Sequence, residues 1–426
     1  MAHLALPQGR LAEKLGLAFP LSAGLHGLAY FILAQLWNAS PLWSAVIFAP
    51  FAFVCPLIKV HRDLRNWSWR DALVVIFVSL AALQVVVHIV VTPASEWDSV
   101  ALWLLKGKAI AAEGKLTPEL VSWLAREGLH SAYPWNVPMM IAWVARITGQ
   151  FSETASKTIY AAHFCSLLLI LYSLARLRWE RTGALTLVAA YLAIPMVAEI
   201  AGYRNADMIL ETLIAAAIFL LLRHQIHPGR GTIILLAAMV LLCSWTKMEG
   251  LVFSGLVLLP GLYMLSVSSQ RAVDKWLFTG ALMGLVLGFL AFWLPKELFG
   301  ATTWFSAGPI RVPGIPAALH RASGVARVML NEMIEVPKWN LTWALPFALL
   351  WKGHDRYGLK FLFFAHVALY FAVYFFTPLD WVWQMRTSLS RVLVHTIPAL
   401  FAWSAFAFSS EEARESQALA AGIGRE

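Results

Sequence analysis

Long apolar runs constrain this chain more than any other feature of its sequence. Of its 426 residues, 60% are hydrophobic and 13% are charged, whereas a soluble domain carries about 25% charged residues. A soluble protein of this composition would expose large apolar surfaces, which soluble proteins avoid. Because about 20 apolar residues cross a bilayer as one helix, the runs predict an all-α, polytopic membrane protein.

Twelve apolar runs qualify as predicted membrane spans, and the tenth of them is short. They cover residues 17–37, 42–60, 72–92, 155–175, 184–201, 207–223, 231–246, 250–268, 276–296, 339–351, 360–377 and 391–408. The first run is too long for the core of a signal peptide, so we interpret it as an uncleaved span. The three cysteines all fall in apolar runs and indicate neither a disulfide framework nor a metal site.

The basic residues indicate which loops face the cytoplasm, because cytoplasmic loops are enriched in Lys and Arg. With the N-terminus inside, the inner segments hold 18 Lys and Arg residues and the short outer loops hold four. The sequence therefore predicts that both termini are cytoplasmic, and the net charge of +9 needs no nucleic-acid partner. Residues 134–148 would invert this count if they crossed. That run has 15 residues and two prolines, so we predict a helix at the outer membrane surface.

Two long outer segments follow from this topology, at 93–154 and 297–338. The first is predicted to hold amphipathic juxtamembrane helices, one over 100–112 and one that starts at Thr117-Pro118-Glu119 and ends at Gly128. In the second, the loop 297–316 is either a lid or an ordinary connection. The predicted organisation is two N-terminal spans in 1–71, a transmembrane domain over 72–408 and a cytoplasmic tail over 409–426.

Five unusual polar stretches fall on the predicted outer face. They are Glu96-Trp97-Asp98, His130-Ser131-Ala132-Tyr133-Pro134, Tyr203-Arg204-Asn205-Ala206-Asp207, Lys247-Met248-Glu249-Gly250 and the run from Asp380 to Arg391. Charged groups at membrane depth are costly and usually mark a functional site. We therefore expect the five stretches to surround one shared cavity.

The carboxylates of these stretches each have two interpretations. Asp98 either caps the helix that follows it or serves as a general base within reach of an acceptor hydroxyl. We prefer Asp98 over Glu96 as the base. In most helical or extended backbone geometries that direct Asp98 into the site, Glu96 points away from Asp98. Asp207, taken alone, is best explained by the helix dipole at the start of its span.

The basic residues of these stretches are equally ambiguous. Lys247 and Glu249 either pair at a helix end or act in the site, and Arg391 either extends to the membrane interface or binds substrate. In the functional interpretation, Lys247, Arg204 and Arg391 hold a phosphate, since Arg offers a planar fork of donors and Lys a point charge.

The order of the short motifs resembles the GT-C glycosyltransferases, which include protein O-mannosyltransferases and the lipid A aminoarabinose transferase. The motifs are WD after an early span, YP..VP in the first outer loop, NADMIL, TKMEG, and TSLSR…P near the end, over about residues 72–400. The resemblance implies a GT-C-like fold and a polyprenyl-phosphate sugar as donor. It makes Asp98 the base that activates the acceptor, with Lys247 and Arg391 as donor-phosphate contacts.

Arg204 is added to the predicted phosphate contacts. Five further residues of the polar stretches, and Arg311 from the loop 297–316, are assigned to the substrate site: Asp207, Glu249, Tyr133, His130, Gln384 and Arg311. Members of the family often carry an acid just before the YP pair, where this chain has Ala132. The resemblance therefore leaves a divalent metal open and implies no other cofactor.

The sequence thus predicts an enzyme of the bacterial inner membrane that transfers a sugar to an acceptor hydroxyl on the periplasmic face, with inversion. Its partners would be the lipid-linked donor, membrane lipids, and a cell-envelope glycan, lipid or protein as acceptor. One alternative is a ligase or polymerase of lipid-linked glycans. Another is a transporter or flippase, which is less favoured because transporters place charges near the midplane between two related halves.

Overall fold

A computed structural model describes residues 5–6, 9–53, 68–267, 271–300, 315–351 and 358–408 of the chain. Within these residues the regular structure is entirely helical, which confirms the predicted all-α class. In these described ranges, six helical segments are long and apolar enough to cross a membrane: Leu11–Trp37, Trp69–Val91, Glu153–Ala175, Lys275–Phe299, Leu359–Phe376 and Trp381–Ala407. By length and composition, the chain is a helical membrane protein.

The helices are numbered α1 to α19 in chain order. The first nine are α1 Leu11–Trp37, α2 Leu42–Phe53, α3 Trp69–Val91, α4 Leu105–Glu113, α5 Pro118–Arg126, α6 Asn136–Ile147, α7 Glu153–Ala175, α8 Arg181–Leu192 and α9 Pro195–Tyr203. The others are α10 Ala206–Ile226, α11 Arg230–Thr246, α12 Met248–Val267, α13 Arg271–Phe299, α14 Ile315–Met333, α15 Val336–Trp339, α16 Leu345–Leu350, α17 Leu359–Phe376, α18 Trp381–Val394 and α19 Ile397–Ala407.

The prediction of twelve spans is wrong in number. The described part of the chain reaches seven spans if α8 and α9, which bend by 66° at their junction, count as one. The predicted tenth span, 339–351, is instead a series of short pieces, with α15 of four residues and α16 of six. Pro337 and Pro346 lack a backbone N–H for a continuous helix, and Asn340 between them has a positive φ of 51°.

Two further predicted spans take a different form. The run 207–223 lies within α10, whose residues from Ala206 to His224 are all buried; a helix that is apolar on every side belongs inside a bundle. The last span starts ten residues before the predicted Arg391, because α18 already begins at Trp381. The polar run after Asp380 is therefore the first part of a helix and not an outer loop.

The juxtamembrane helices of the first outer segment form largely as predicted. Thr117 caps α5 by accepting from the Leu120 N–H at 3.2 Å, and Gly128 takes a positive φ of 69° just after the helix. The helix predicted over 100–112 begins as a π-helix, Asp98–Leu104, and continues as α4. The run 134–148 forms α6, whose 12 residues are too short to cross a bilayer. Most of them are buried, and α6 packs against α1, α4 and α7.

Contacts between distant segments divide the helix ends into two groups. At one end, Arg223 pairs with Glu13 at 3.0 Å, and the Thr182 hydroxyl donates to Asp71 at 2.6 Å. At the other end, the Ala94 N–H donates to Glu153 at 2.9 Å. The first group joins segments that the charge count places inside, and the second joins the two ends of the segment 93–154, which it places outside. These contacts are thus consistent with the predicted alternation of inner and outer loops along the chain.

Candidate functional site

The carboxylate of Asp98 forms an ion pair with Arg391, which lies 293 positions later in the chain. Arg391 Nη1 donates to Asp98 Oδ2 at 2.5 Å, and the two side chains are 18% and 27% exposed. Asp98 lies at the first residue of the π-helix, where no side-chain cap is formed. Asp98 thus makes an ion pair where one interpretation of the sequence expected a helix cap, and Arg391 is held by a carboxylate.

Asp207 connects this ion pair to the second basic residue of the site. Its side chain is 1% exposed, and its carboxylate lies 2.5 Å from Lys247 Nζ and 3.7 Å from Arg391 Nε. Asn205 caps α10 by accepting from the Asp207 N–H at 3.0 Å, which fixes the acid at the positive end of the helix. Asp207 thus orients both cations in addition to complementing the helix dipole.

Lys247 owes its position to a very tight turn between α11 and α12. It is the single residue between the two helices and has an extended backbone. A Cβ atom at Gly250 would lie 2.1 Å from the carbonyl oxygen of Cys243, so only glycine lets the helices approach this closely. Lys247 also pairs with Glu249 at 3.0 Å, as one interpretation of the sequence expected.

These five residues form what we call the charge network: Asp98, Asp207, Lys247, Glu249 and Arg391. Three carboxylates face two cations, so the network carries one net negative charge when the neighbouring histidine is neutral. Four of the five polar stretches predicted from the sequence thus come together. They meet through ion pairs, whereas a cavity of about 460 Å³, lined by Leu33, Trp37, Trp43 and Ile47 among others, lies apart from them.

The fifth polar stretch, around Tyr133, is held beside the network by a buried lysine. Lys106 Nζ donates to the His130 carbonyl oxygen at 2.7 Å, and the His130 and Tyr133 rings stack at 4.8 Å. Burial, and then the Glu249 carboxylate, raise the pKa of Tyr133 to about 12. Burial also lowers the pKa of His130. Tyr133 therefore stays a neutral hydrogen-bonding group at neutral pH.

Burial alone lowers the pKa of Lys106 from 10.5 to about 7. Between these two values the unfolded chain binds more protons at Lys106 than the folded chain, so stability rises with pH in this window. We expect Lys106→Met to flatten the rise of the apparent Tm between pH 7 and pH 9.5 and to raise the Tm at pH 7. Thermal unfolding in detergent measures this, with the exposed neighbour Lys108→Met as control. Parallel profiles for wild type and Lys106→Met would contradict it.

Two predicted site residues in the described part of the chain, Arg204 and Gln384, form no ion pair with the network. The guanidinium of Arg204 donates to three main-chain carbonyls at the end of α3 and just beyond it, those of His88, Ile89 and Pro93, at 3.0 to 3.1 Å. Such terminal carbonyls lack partners within their helix, so the prediction that Arg204 binds phosphate has no support in its contacts. Gln384 lies on α18 with a buried Oε1 that has no hydrogen bond among the described residues.

The remaining predicted site features cannot be placed. Arg311 and most of the loop 297–316 lie outside the described residues, as does the tail 409–426. Among the residues that are described, no group of three or more His, Cys, Asp or Glu side chains is arranged to hold a metal ion.

Two buried residues at the network were missed from the sequence. His395 Nε2 lies 3.2 Å from Asp207 Oδ1, and the Tyr370 hydroxyl lies 2.8 Å from His395 Nδ1. The signal in the sequence was a polar side chain within an apolar run, at Tyr370 and at His395. Comparison with known protein families, curated proteins and solved structures finds no match to the chain.

Proposed function

We propose that the chain is an integral membrane glycosyltransferase of the GT-C type that transfers a sugar from a polyprenyl-phosphate donor to an acceptor hydroxyl. One observation carries the proposal. The half-buried carboxylate of Asp98 and the cations Lys247 and Arg391 belong to a single network, although they come from three distant parts of the chain. A base beside two cations is what direct displacement at a sugar phosphate requires.

In this reaction the acceptor oxygen attacks the anomeric carbon while the bond from that carbon to the phosphate oxygen breaks. Asp98 accepts the proton of the acceptor hydroxyl, and polyprenyl phosphate leaves with the bonding electrons. Arg391 and Lys247 stabilise the charge that develops on the phosphate. Arg391 has five N–H donors, so it can contact a phosphate while it remains near Asp98 and Asp207. A single displacement inverts the anomeric carbon.

Glu249 and the stacked pair of His130 and Tyr133 are proposed to contact the sugar. Glu249 is joined to the network through Lys247, and its side chain is 24% exposed, which leaves it open to a ligand. Tyr133, kept neutral by its raised pKa, offers both a hydroxyl and a ring face.

We place the site on the periplasmic side of the bacterial inner membrane, with both termini in the cytoplasm. The support is the excess of Lys and Arg in the other set of loops. Contacts such as Glu13 with Arg223 within one set and Asp98 with Arg391 within the other are consistent with it.

A cysteine at Met248, the partly exposed neighbour of Lys247, tests the side and the ligand together. In a variant without native cysteines, we expect Met248→Cys to react in intact cells with a thiol reagent that does not cross the membrane. Added polyprenyl phosphate should slow this reaction in purified protein by about tenfold if it occupies the adjacent cations.

The matched control is Glu180→Cys, which is exposed and lies in a predicted cytoplasmic loop. It should react only after the cells are permeabilised, and polyprenyl phosphate should not protect it. Reaction of Glu180→Cys from outside, together with silence at Met248→Cys, would reverse the sidedness. Reaction at Met248→Cys without protection would remove the phosphate site.

A transporter of lipid-linked substrates is the second candidate, favoured by one observation. Glu211 is 0% exposed one turn below Asp207, and its Oε2 has no hydrogen bond among the described residues. Its other oxygen accepts from Tyr191 at 2.9 Å, beside the 66° bend between α8 and α9. Buried acids and broken helices are typical of transporters.

A further inference from the structure

The carboxylate of Asp207 has a third potential cation beside it that the proposed reaction does not use. His395 Nε2 lies 3.2 Å from Asp207 Oδ1, and the side chains of both residues are at most 1% exposed. Nε2 has no aligned hydrogen bond among the described residues. His395 lies in the two-residue junction between α18 and α19.

The other ring nitrogen of His395 has a partner that suits both protonation states. The Tyr370 hydroxyl lies 2.8 Å from His395 Nδ1 and 3.1 Å from His366 Nε2. A hydroxyl both donates and accepts. It can donate to Nδ1 of a neutral His395 and accept from Nδ1–H of a charged one. The surroundings of His395 therefore tolerate a change of its charge.

The charge network gives a reason for such a change. With a neutral His395 it holds three carboxylates and two cations, and a phosphodiester adds one more negative charge. Extra negative charge in a buried site is costly unless it is compensated. Lys247 and Arg391 would also divide their donors between the phosphate and Asp207. Asp207 then needs a new positive partner, and His395 is the titratable group closest to it.

We propose that His395 takes up a proton when the donor phosphodiester binds to Lys247 and Arg391, so that Asp207 keeps a positively charged partner. The inference rests on the proposed function. His395 acts through Asp207 and is a positioning residue. The titratable and charged groups that face it are Asp207 on α10, Tyr370 and His366 on α17, and Arg391 on α18. Lys247 and Glu249 lie behind Asp207.

Calorimetry on the full-length protein in detergent tests the proposal, with farnesyl methyl phosphate as the probe. This diester carries a single charge that does not titrate near neutral pH. Titrations at pH 7.5 in two buffers of different ionisation enthalpy report the protons taken up on binding. We expect about one proton per ligand for the wild type if His395 is the group that takes it up. For His395→Gln we expect none, with affinity about tenfold weaker.

His163→Gln is the matched control, because His163 is equally buried but contacts the Ile159 carbonyl oxygen outside the network. It should behave as the wild type. Tyr370→Phe keeps the packing and removes the acceptor for a charged His395, so we expect less proton uptake at the same pH. This variant keeps the test decisive if His395→Gln does not fold.

The outcomes separate the two proposals. Binding of the diester without proton uptake, or equal uptake in the wild type and in His395→Gln, would overturn the role of His395 and leave the phosphate site standing. No binding of the diester to the wild type would overturn the phosphate site, and the role of His395 with it.

Discussion

Asp98→Asn is expected to reduce sugar transfer by at least about a hundredfold, because general-base assistance contributes about 10²–10⁴-fold to a rate. Asparagine has the same size and can still accept a hydrogen bond from Arg391, but it cannot take up a proton at neutral pH. We therefore expect the variant to fold and to bind lipid phosphate as the wild type does. Initial rates of transfer, with phosphate binding measured in parallel, check this.

Glu96→Gln provides the control for Asp98→Asn. Glu96 is an exposed acid two residues away, and none of the ion pairs of the charge network involves it. It should transfer sugar at close to the wild-type rate. If Asp98→Asn were nearly as active as the wild type, Asp98 would serve only to hold Arg391, and the base would have to be Glu249 or Asp207.

Lys247→Met is expected to have the second large effect, on both stability and binding. It leaves the buried carboxylate of Asp207 without its closest cation, and the loss of one partner of a buried pair costs about 3–5 kcal/mol. It also removes a phosphate contact, since charged hydrogen bonds contribute about 1.5–3 kcal/mol. We expect a lower thermal stability and a loss of affinity for a farnesyl phosphodiester of at least about tenfold.

A double variant separates these two effects. In Lys247→Met with Asp207→Asn, the unpaired carboxylate is gone, so most of the lost stability should return. The affinity for the phosphodiester should stay low, because the cation is still missing. If the double variant regained binding together with stability, Lys247 would be a structural partner of Asp207 and not a phosphate contact.

Much of the charge network could be predicted from the sequence because helical spans place alternate loops on the same face. Once the spans were set, Asp98, Asp207, Lys247 and Arg391 had to fall near one end of the bundle. Their pairing could not be predicted, because it depends on how each helix is rotated about its axis. That rotation is invisible in runs such as α10, which are apolar on every side.

The errors in the sequence interpretation have related physical causes. Hydrophobicity indicates burial and does not distinguish lipid from protein, so the apolar runs predicted twelve spans, whereas the described residues contain six or seven helices that could cross a membrane. The contacts of Arg204 with the last carbonyls of α3 leave no mark in the sequence, and its role in phosphate binding stays a prediction. His395 was missed because one histidine in an apolar run gives no pattern.

The central claim is that the charge network transfers sugar from a lipid phosphate, and a donor assay tests it most directly. Purified protein in proteoliposomes is incubated with an extract of cell-envelope acceptors and radiolabelled polyprenyl-phosphate hexoses. In a parallel incubation, nucleotide sugars replace the lipid donor. The account predicts that label passes from the lipid to an acceptor in the wild type, that it does not in Asp98→Asn, and that nucleotide sugars are ignored. Transfer from a nucleotide sugar without lipid would contradict it, as would label that crosses the bilayer still joined to polyprenyl phosphate.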